Sequence, residues 1–187
     1  MNRLTETIKT LSLGSNEEVR AIQNNLSRIE LKKNDYLLKA GQICSKYYFI
    51  ESGTVRLYYT KDDLEYTVWM GTPGEIFTNL ESYLDASRSK INIQAIEPSI
   101  VFFISKTNSD DLARKSNAYN TLLRRTVEIA FVGLSRNVMS FQSEEAIERY
   151  RRVADEKNWV SRYPLKYIST FIGVTQSTLS RLRAKRD

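Results

Sequence analysis

The sequence predicts an α+β protein in which a strand-rich N-terminal domain is followed by a long helix and a C-terminal pair of helices. Between residues 29 and 104, short runs rich in Val, Ile, Tyr and Phe alternate with turn residues. Residues 117–141 form one long helical pattern, and residues 164–183 contain two short amphipathic patterns joined at Gly173. We therefore divide the chain into a strand-rich domain with N-terminal helices at 1–115, a connecting helix at 116–142 and a helical domain at 143–187.

Composition excludes several classes of protein. No apolar run approaches the roughly 18 residues of a membrane span, and the N-terminus lacks an apolar signal segment, so we expect a cytoplasmic protein. The single cysteine, Cys44, cannot form an internal disulfide, and with no histidine in the chain it argues against a zinc, haem or iron–sulfur site. Lack of histidine also removes the commonest general base. We predict a protein that is not an enzyme and that has no metal site.

Positive charge is concentrated at the C-terminus. Residues 157–187 contain seven Lys or Arg and one acid, a net of +6, which equals the net charge of the whole chain. Residues 1–156 therefore balance at zero. A basic segment that coincides with a helical pair is expected for binding to the DNA backbone, although a solvated basic tail would have the same composition.

The N-terminal domain contains regularly spaced short strands. Residues 1–28 precede them with helical spacing, and Ser15 is placed as a helix start. Many short strands at near-regular spacing favour an antiparallel sandwich or barrel. The predicted strands are 36–38, 47–50, 54–59, 64–70, 90–96 and 100–104.

The long helix has more apolar surface than one neighbour can cover. One set of residues recurs at steps of four and three, as in a coiled-coil seam. A second apolar stripe, which includes Ile129 and Phe131, lies beside it. We expect the helix to contact its own domain on one side and a second subunit on the other, with burial inside one monomer as the alternative. The predicted dimer seam consists of Leu123, Val127, Ala130, Leu134, Asn137 and Phe141.

The C-terminal pair has the pattern of a helix-turn-helix. Gly173 can adopt the left-handed turn, and the small Ser169 lets the two helices approach. The outward face of the second helix carries short hydrogen-bonding side chains and two guanidinium groups, which suit base edges and phosphates. We predict recognition helix 175–183, with double-stranded DNA contacts from Lys166, Thr175, Gln176, Ser177, Thr178, Ser180, Arg181, Arg183 and Lys185.

This order of parts resembles the Crp/Fnr family of bacterial transcription regulators. The resemblance covers residues 31–183 and is most specific at Gly-Thr-Val-Arg-Leu (53–57), at Gly-Glu (74–75) and in the helix-turn-helix. It implies an antiparallel β-roll of the cyclic-nucleotide-binding type (a double-stranded β-helix), a homodimer, and a DNA reader. It also leaves RNA polymerase open as a further partner. The family's β-hairpin wing is missing from the sequence after Arg183, so the basic tail is expected to replace it.

The resemblance also implies a candidate effector pocket. In ligand-binding relatives a Gly-Glu pair opens a phosphate-binding segment and an Arg-Ser pair closes it, and these positions match Gly74, Glu75, Arg88 and Ser89. The segment between the pairs departs from the family because it lacks the usual glycine, is longer and carries additional acids, which disfavour a phosphate. A structural Arg88 or a different effector is therefore preferred to a cyclic nucleotide.

We thus expect a homodimeric DNA-binding transcriptional regulator. The usual base preference of the family is not transferable, because Gln176 and Ser177 stand where relatives often have Arg-Glu. The alternative is a ligand-binding or protein-interaction module whose DNA-binding end has degenerated. An enzyme comes third, since no nucleophile, metal site or phosphate-activating loop is apparent.

Overall fold

Two antiparallel four-stranded sheets face each other and are covered by helices on both outer sides. The structure, a computed structural model, describes residues 2–155 and 159–184. The elements in chain order are α1 (Asn2–Ser12), α2 (Asn16–Gln23), β1 (Ser27–Leu31), β2 (Tyr36–Leu38), β3 (Lys46–Ser52), β4 (Val55–Lys61), β5 (Leu64–Gly71), β6 (Ile76–Phe77), α3 (Leu80–Asp85), β7 (Asn92–Ala95), β8 (Ser99–Ser105), α4 (Lys106–Lys115), α5 (Asn117–Ser143), α6 (Ala146–Asp155), α7 (Trp159–Arg162), α8 (Leu165–Ile172) and α9 (Gln176–Ala184).

The strands form the β-roll. The first sheet has the order β1-β8-β3-β6 and the second β2-β7-β4-β5, with every neighbouring pair antiparallel. Alternate residues of each strand point to opposite faces. In β3, Tyr48 and Ile50 enter the core between the sheets, whereas Tyr47 and Phe49 join the core beneath the helices. The α+β class predicted from the sequence is confirmed. Four elements, β1, β6, α3 and α7, were not predicted, because two to six residues are too few to establish a period.

The N-terminal helices cover the outer face of the first sheet. As the sequence predicted, Ser15 starts α2: its hydroxyl accepts from the Glu18 N–H at 3.3 Å, and the Glu18 carboxylate accepts from the Ser15 N–H at 2.8 Å. This reciprocal arrangement is a capping box. Buried side chains of α1, α2, α4 and the start of α5 then share one apolar core with β3 and β8.

Helix α5 changes its surroundings along its length. At its start, Tyr119 and Leu122 are fully buried against the N-terminal helices and the sheet. Beyond Thr126, which is still buried, the apolar side chains of both predicted stripes are exposed. The expected contact of the helix with its own domain is therefore made by the N-terminal part of α5, and the rest of α5 extends past the edge of that domain. The exposed residues are Val127, Ile129, Phe131, Val132, Leu134, Val138, Met139 and Phe141.

The C-terminal helices cover the outer face of the second sheet. Met70 of β5 and Ile96, which follows β7, are buried in the same apolar core as Trp159, Ile168 and Ile172. The β-roll is thus enclosed between the N-terminal helices on one side and helices α6 to α8 on the other. Within residues 2–155 and 159–184, no helix combines the length and apolar character needed to cross a bilayer.

Candidate nucleic-acid interface and effector pocket

Helices α8 and α9 form the predicted helix-turn-helix. Ile168, Ile172 and Leu179 are completely buried between the two helices and the roll. Ser169 is buried where the helices approach, and its hydroxyl donates to the Lys166 carbonyl at 3.0 Å. Gly173 has φ 76°, the left-handed conformation that glycine adopts at low cost. Pro164 lies at the N-cap of α8.

The predicted recognition helix exposes its polar face. Helix α9 begins at Gln176, and Thr175 caps it by accepting from the Thr178 N–H at 3.2 Å. The Arg181 guanidinium donates to the Thr178 hydroxyl at 3.4 Å, which orients both side chains along the face. Thr178 is half-buried, and the exposed residues are Thr175, Gln176, Ser177, Ser180, Arg181 and Arg183. Lys185, the last predicted DNA contact, lies outside the described residues.

Lys166 has a partner in the β-roll. Its ammonium group lies 3.5 Å from the carboxylate of Glu65 on β5, although 61% of the Lys166 side chain is exposed. The same carboxylate accepts a hydrogen bond of 2.8 Å from Arg56 on β4. Burial raises the pKa of Glu65, but the hydrogen bond from Arg56 and the charges of Arg56 and Lys166 outweigh it, so the pKa lies below its ordinary value. Glu65 is therefore an anion that faces two cations.

Arg149 of α6 holds the turn of the helix-turn-helix, a role that sequence reasoning missed. Its Nε donates to the Ile172 carbonyl at 2.9 Å, at the C-terminal end of α8, and its guanidinium lies 5.0 Å from the centre of the Phe141 ring. The Phe141 ring in turn lies against Gly173. Phe141 was predicted for the dimer seam, but it contacts the helix-turn-helix of its own chain. An arginine on an exposed helical pattern gives no signal of such a contact.

Residues 140–143, at the C-terminal end of α5, form the joint between the long helix and the helices that follow it. The Ser140 hydroxyl donates to the Glu144 carboxylate and accepts from Arg152 of α6. The hydrogen bond from Ser140, together with the charges of Arg152 and Arg149, lowers the pKa of Glu144. These contacts fix the C-terminal end of α5 to α6. The helix-turn-helix that follows, α8 and α9, is called the reader below.

The Gly74–Glu75 turn of the candidate effector pocket is occupied by structural contacts. The Gly74 N–H donates to the Ile50 carbonyl at 2.8 Å, and the Gly74 carbonyl accepts from the Thr7 hydroxyl of α1 at 2.9 Å. The Glu75 carboxylate accepts from the N–H and the hydroxyl of Thr72, at 3.3 and 3.4 Å. Glu75 therefore bonds within its own turn.

The side chains of Arg88 and Ser89 also form hydrogen bonds with other residues of the roll. The exposed Arg88 guanidinium donates to the Gly41 carbonyl at 3.1 Å. The buried Ser89 hydroxyl accepts from Asn79 at 2.6 Å and from the Ile91 N–H at 2.9 Å, and it donates to the Ile91 carbonyl. Among the described residues, no ion pair joins Arg88 to Glu75. Nor does any hydrogen bond between residues that the structure describes join the two halves of the predicted pocket.

Aromatic side chains fill the space between the sheets. Tyr48 stacks on Phe77 with ring centres 5.3 Å apart, and Trp69 contacts the same Phe77 ring at 5.2 Å. Tyr48 and Phe77 are buried in the central core. A cyclic nucleotide needs a polar cradle for its phosphate and room for its base. The residues present do not fit this ligand in the arrangement observed.

Comparison with known proteins identifies the fold and one domain. Residues 28–116 match the family model of the cyclic nucleotide-binding domain. Among solved structures, the catabolite activator protein of Thermus thermophilus is 20% identical with a TM-score of 0.59, and the match covers 91% of this chain and 83% of that one. FixK2 of Bradyrhizobium japonicum is 16% identical, with a TM-score of 0.70 and coverages of 86% and 83%.

A third similar structure is the global regulator CLP of Xanthomonas campestris, described as responsive to c-di-GMP. It is 11% identical, with a TM-score of 0.71 and 91% coverage of both chains. No curated protein matched the sequence. These similarities confirm the Crp/Fnr-type fold, with a β-roll, a long helix and C-terminal helices; the similar proteins are regulators rather than enzymes. Within residues 2–155 and 159–184, no cluster of three His, Cys, Asp or Glu side chains is arranged to hold a metal ion.

Proposed function

We propose that this chain, which has the Crp/Fnr fold and a cyclic nucleotide-binding domain at residues 28–116, is a homodimeric DNA-binding transcriptional regulator. The observation that carries the proposal is the exposed polar face of α9. Gln176, Ser177 and Arg181 project from a helix whose opposite side is anchored by the fully buried Leu179. Such a face offers donors and acceptors to base edges, and its guanidinium groups can pair with phosphates or guanine.

We assign one role to each of the three parts of the chain. Residues 1–115 form the sensor domain, 116–142 the dimerisation helix and 143–187 the DNA-binding domain. The exposed apolar residues of α5 support the dimer, because a monomer rarely leaves so long an apolar helix face in water. We assign the seam to Leu123, Val127, Ala130, Leu134 and Asn137, with Phe141 at the joint to the reader.

Pairing through α5 would set two α9 helices about 34 Å apart, so that they enter successive major grooves of a near-palindromic site. We assign contacts with double-stranded DNA to Lys166, Arg181 and Arg183, to the polar residues at positions 175–178 and 180, and to Lys185. A regulator of this kind acts in the cytoplasm through RNA polymerase, and transcription of a target promoter in vitro would test that contact.

A binding module with degenerate DNA recognition is the competing function. In such a module, nothing would maintain exposed hydrogen-bonding side chains on α9 or a concentration of positive charge around it. The net charge of +6 in residues 157–187 speaks against it. No effector is assigned, because the four candidate pocket residues bond to separate structural elements.

Selection from random duplexes followed by gel shift at increasing salt tests the proposal. We expect selected sequences to bind at least about 10³-fold more tightly than random duplex, with affinity that falls as salt rises. The double variant Arg181→Ala, Gln176→Ala should lose that preference. Arg28→Ala is the matched control, since Arg28 is an exposed arginine paired with Glu30 on the far sheet. Binding without sequence preference, or an unchanged double variant, would refute the regulator.

A further inference from the structure

The helix-turn-helix rests on the outer face of the β4–β5 hairpin, and a buried arginine lies at the centre of this contact. Arg56 is only 1% exposed although it carries a full charge. Its guanidinium lies 3.9 Å from the centre of the Tyr58 ring, in the same strand, and 4.3 Å from that of Tyr167 in α8. Arg56 is therefore clamped between one ring of the roll and one ring of the reader.

Hydrogen bonding accounts for only part of the Arg56 side chain. Its Nη2 donates to Glu65, whereas Nε and Nη1 have no hydrogen-bond partner among the described residues. A buried guanidinium without full hydrogen bonding is costly, and contact with aromatic faces compensates for part of that cost. Since Tyr167 supplies one of the two aromatic faces, displacement of α8 would leave Arg56 in contact with the Tyr58 ring alone.

Further polar contacts surround this clamp. The hydroxyls of Thr67 on β5 and Thr170 on α8 lie 2.7 Å apart. At the other side of the hairpin, the Tyr163 hydroxyl lies 2.7 Å from that of Thr54, which itself donates to the Glu97 carboxylate. An ionised carboxylate only accepts hydrogen bonds, so the Thr54 hydroxyl donates its hydrogen to Glu97. The Tyr163 hydroxyl is therefore the donor in its hydrogen bond with Thr54.

These contacts enclose an apolar core. Met70 and Ile96 of the roll are buried together with Ile168 and Trp159 of the helices. Domains are expected to move relative to each other unless their interface is extensive and apolar. Here an apolar centre is bordered by hydrogen bonds on two sides, which favours a fixed position. The interface leaves the polar face of α9 exposed, because α9 contributes only the buried Leu179 on its opposite side to this core.

We propose that the outer face of β4–β5 is a permanent seat for the helix-turn-helix, with Arg56 as its positioning residue, and that the chain binds DNA from this seated position without an effector. The seat is the contact of Arg56, Thr67 and Met70 with α8. Its existence is independent of DNA; the claim about DNA rests on the proposed function. Lys166, at the edge of the seat, is then shared between Glu65 and a DNA phosphate.

An engineered disulfide across the seat tests whether the reader must leave it. Thr67→Cys, Thr170→Cys should oxidise readily, because the two hydroxyl oxygens are already 2.7 Å apart. Cys44 is buried and will not compete. We expect the oxidised protein to bind its selected duplex within twofold of the reduced protein. Failure to form the disulfide would overturn the seat, and a more than tenfold loss on oxidation would show that DNA binding requires its opening.

A control pair checks that cross-linking reports one defined position. Val68 is the exposed neighbour of Thr67 in the β5 bulge. Val68→Cys, Thr170→Cys should cross-link at least tenfold more slowly than the test pair. Equal rates would mean that α8 moves freely over the hairpin, which contradicts a fixed seat. This comparison needs no DNA, so it decides about the seat even if the chain proves not to be a regulator.

The positioning role of Arg56 is tested by substitution of Tyr167, because replacement of Arg56 itself would also remove the hydrogen-bond donor of Glu65. Tyr167→Leu removes one face of the clamp and should weaken binding to the selected duplex about tenfold. It should also reduce the penalty for a five-base-pair change in half-site spacing. Tyr167→Phe keeps the face and should behave like wild type. Tyr66→Leu is the matched control, because Tyr66 stacks on Tyr59 in the same hairpin. If Tyr167→Leu and Tyr66→Leu behave alike, Arg56 does not position the reader.

Discussion

Gly173 lies at the turn on which the geometry of the reader depends. Its φ of 76° is costly for any residue with a side chain, by about 1–2 kcal/mol. An added Cβ would also approach the Phe141 ring to 2.8 Å, but that ring is half exposed and can move. We therefore expect Gly173→Ala to lower the free energy of unfolding by about 1–2 kcal/mol and to weaken DNA binding.

Gly41 provides the control for this prediction. It has φ 89°, and nothing lies within 4 Å of the point that a Cβ would occupy, so Gly41→Ala incurs the backbone cost alone. Chemical unfolding should give both variants a similar loss of stability, whereas gel shift should separate them. Equal DNA binding by the two variants would mean that the turn does not set the orientation of α9.

Glu65 makes the contact between roll and reader dependent on pH. Its pKa is lowered from 4.5, so the native state favours the ionised form. The stabilisation is complete above the unfolded-state pKa and is lost as pH falls through the lower, folded-state value. At neutral pH, Glu65→Gln should lower the free energy of unfolding by about 1–3 kcal/mol, because Arg56 stays buried without a counter-charge.

Urea unfolding between pH 7 and pH 3 measures this dependence. The difference between wild type and Glu65→Gln should remain constant down to about pH 5 and then shrink, since protonation makes the wild-type residue neutral as well. Glu30→Gln is the control: Glu30 pairs with Arg28 on the exposed surface, where such a pair contributes little. A difference that grows with acidity would contradict the assignment of Glu65 as an anion.

At the scale of elements, α5 makes the clearest prediction. Leu134 is 61% exposed within an apolar helix that extends beyond its own domain. If a second copy covers this surface, Leu134→Glu places a charge inside the interface and should convert a dimer to a monomer at micromolar concentration. Leu64→Glu, equally exposed at 61% but on the β4–β5 hairpin, should leave the dimer intact. Sedimentation velocity distinguishes these outcomes, and a monomeric wild type would refute the dimer.

Elements with a long regular pattern, or with strong turn signals at both ends, could be predicted from the sequence. Contacts between elements that are distant in the chain could not. The boundaries of β2 agree because Tyr36–Leu38 lies between strong turn signals, and α5 was apparent from 25 residues of continuous helical spacing. Alternation in β4 places Arg56 opposite the buried Val55 and Leu57, which predicts an exposed side chain. Its burial arises from Tyr167, 111 positions later in the chain, and no local pattern records that contact.

The candidate pocket shows the same limit. Gly74, Glu75, Arg88 and Ser89 have the residue types of a phosphate site, and the resemblance places them in the right order. Whether they converge depends on the path of the segment between them, which contains α3 and the left-handed Ala86 at its end. Asn79 bonds to Ser89 across this segment and removes the hydroxyl from any ligand. The missing glycine, the greater length and the additional acids of this segment were the sequence signals of this outcome.

At the scale of the whole molecule, the roll has apolar cores on three levels: beneath the N-terminal helices, between the sheets and beneath the reader. A ligand between the sheets would have to displace Tyr48, Phe77 or Trp69 before it could alter the position of α8. Removal of a packed aromatic ring from a core costs about 3–5 kcal/mol, and such a ligand would have to offset a loss of this kind before it could bind. The reader is instead fixed to the roll from outside.

This arrangement predicts that cyclic nucleotides do not control the protein. Calorimetric titration with cyclic AMP or cyclic GMP should give no binding heat at millimolar ligand, and neither compound should change affinity for the selected duplex. Arg88→Ala should match wild type in both measurements, because its guanidinium is exposed and donates to the Gly41 carbonyl rather than to the pocket. Saturable heat that disappears in Arg88→Ala would instead show that the segment from Gly74 to Ser89 rearranges around a phosphate. The aromatic core between the sheets would then be a closed state that the ligand opens, and the seat would be the route by which that opening reaches the reader.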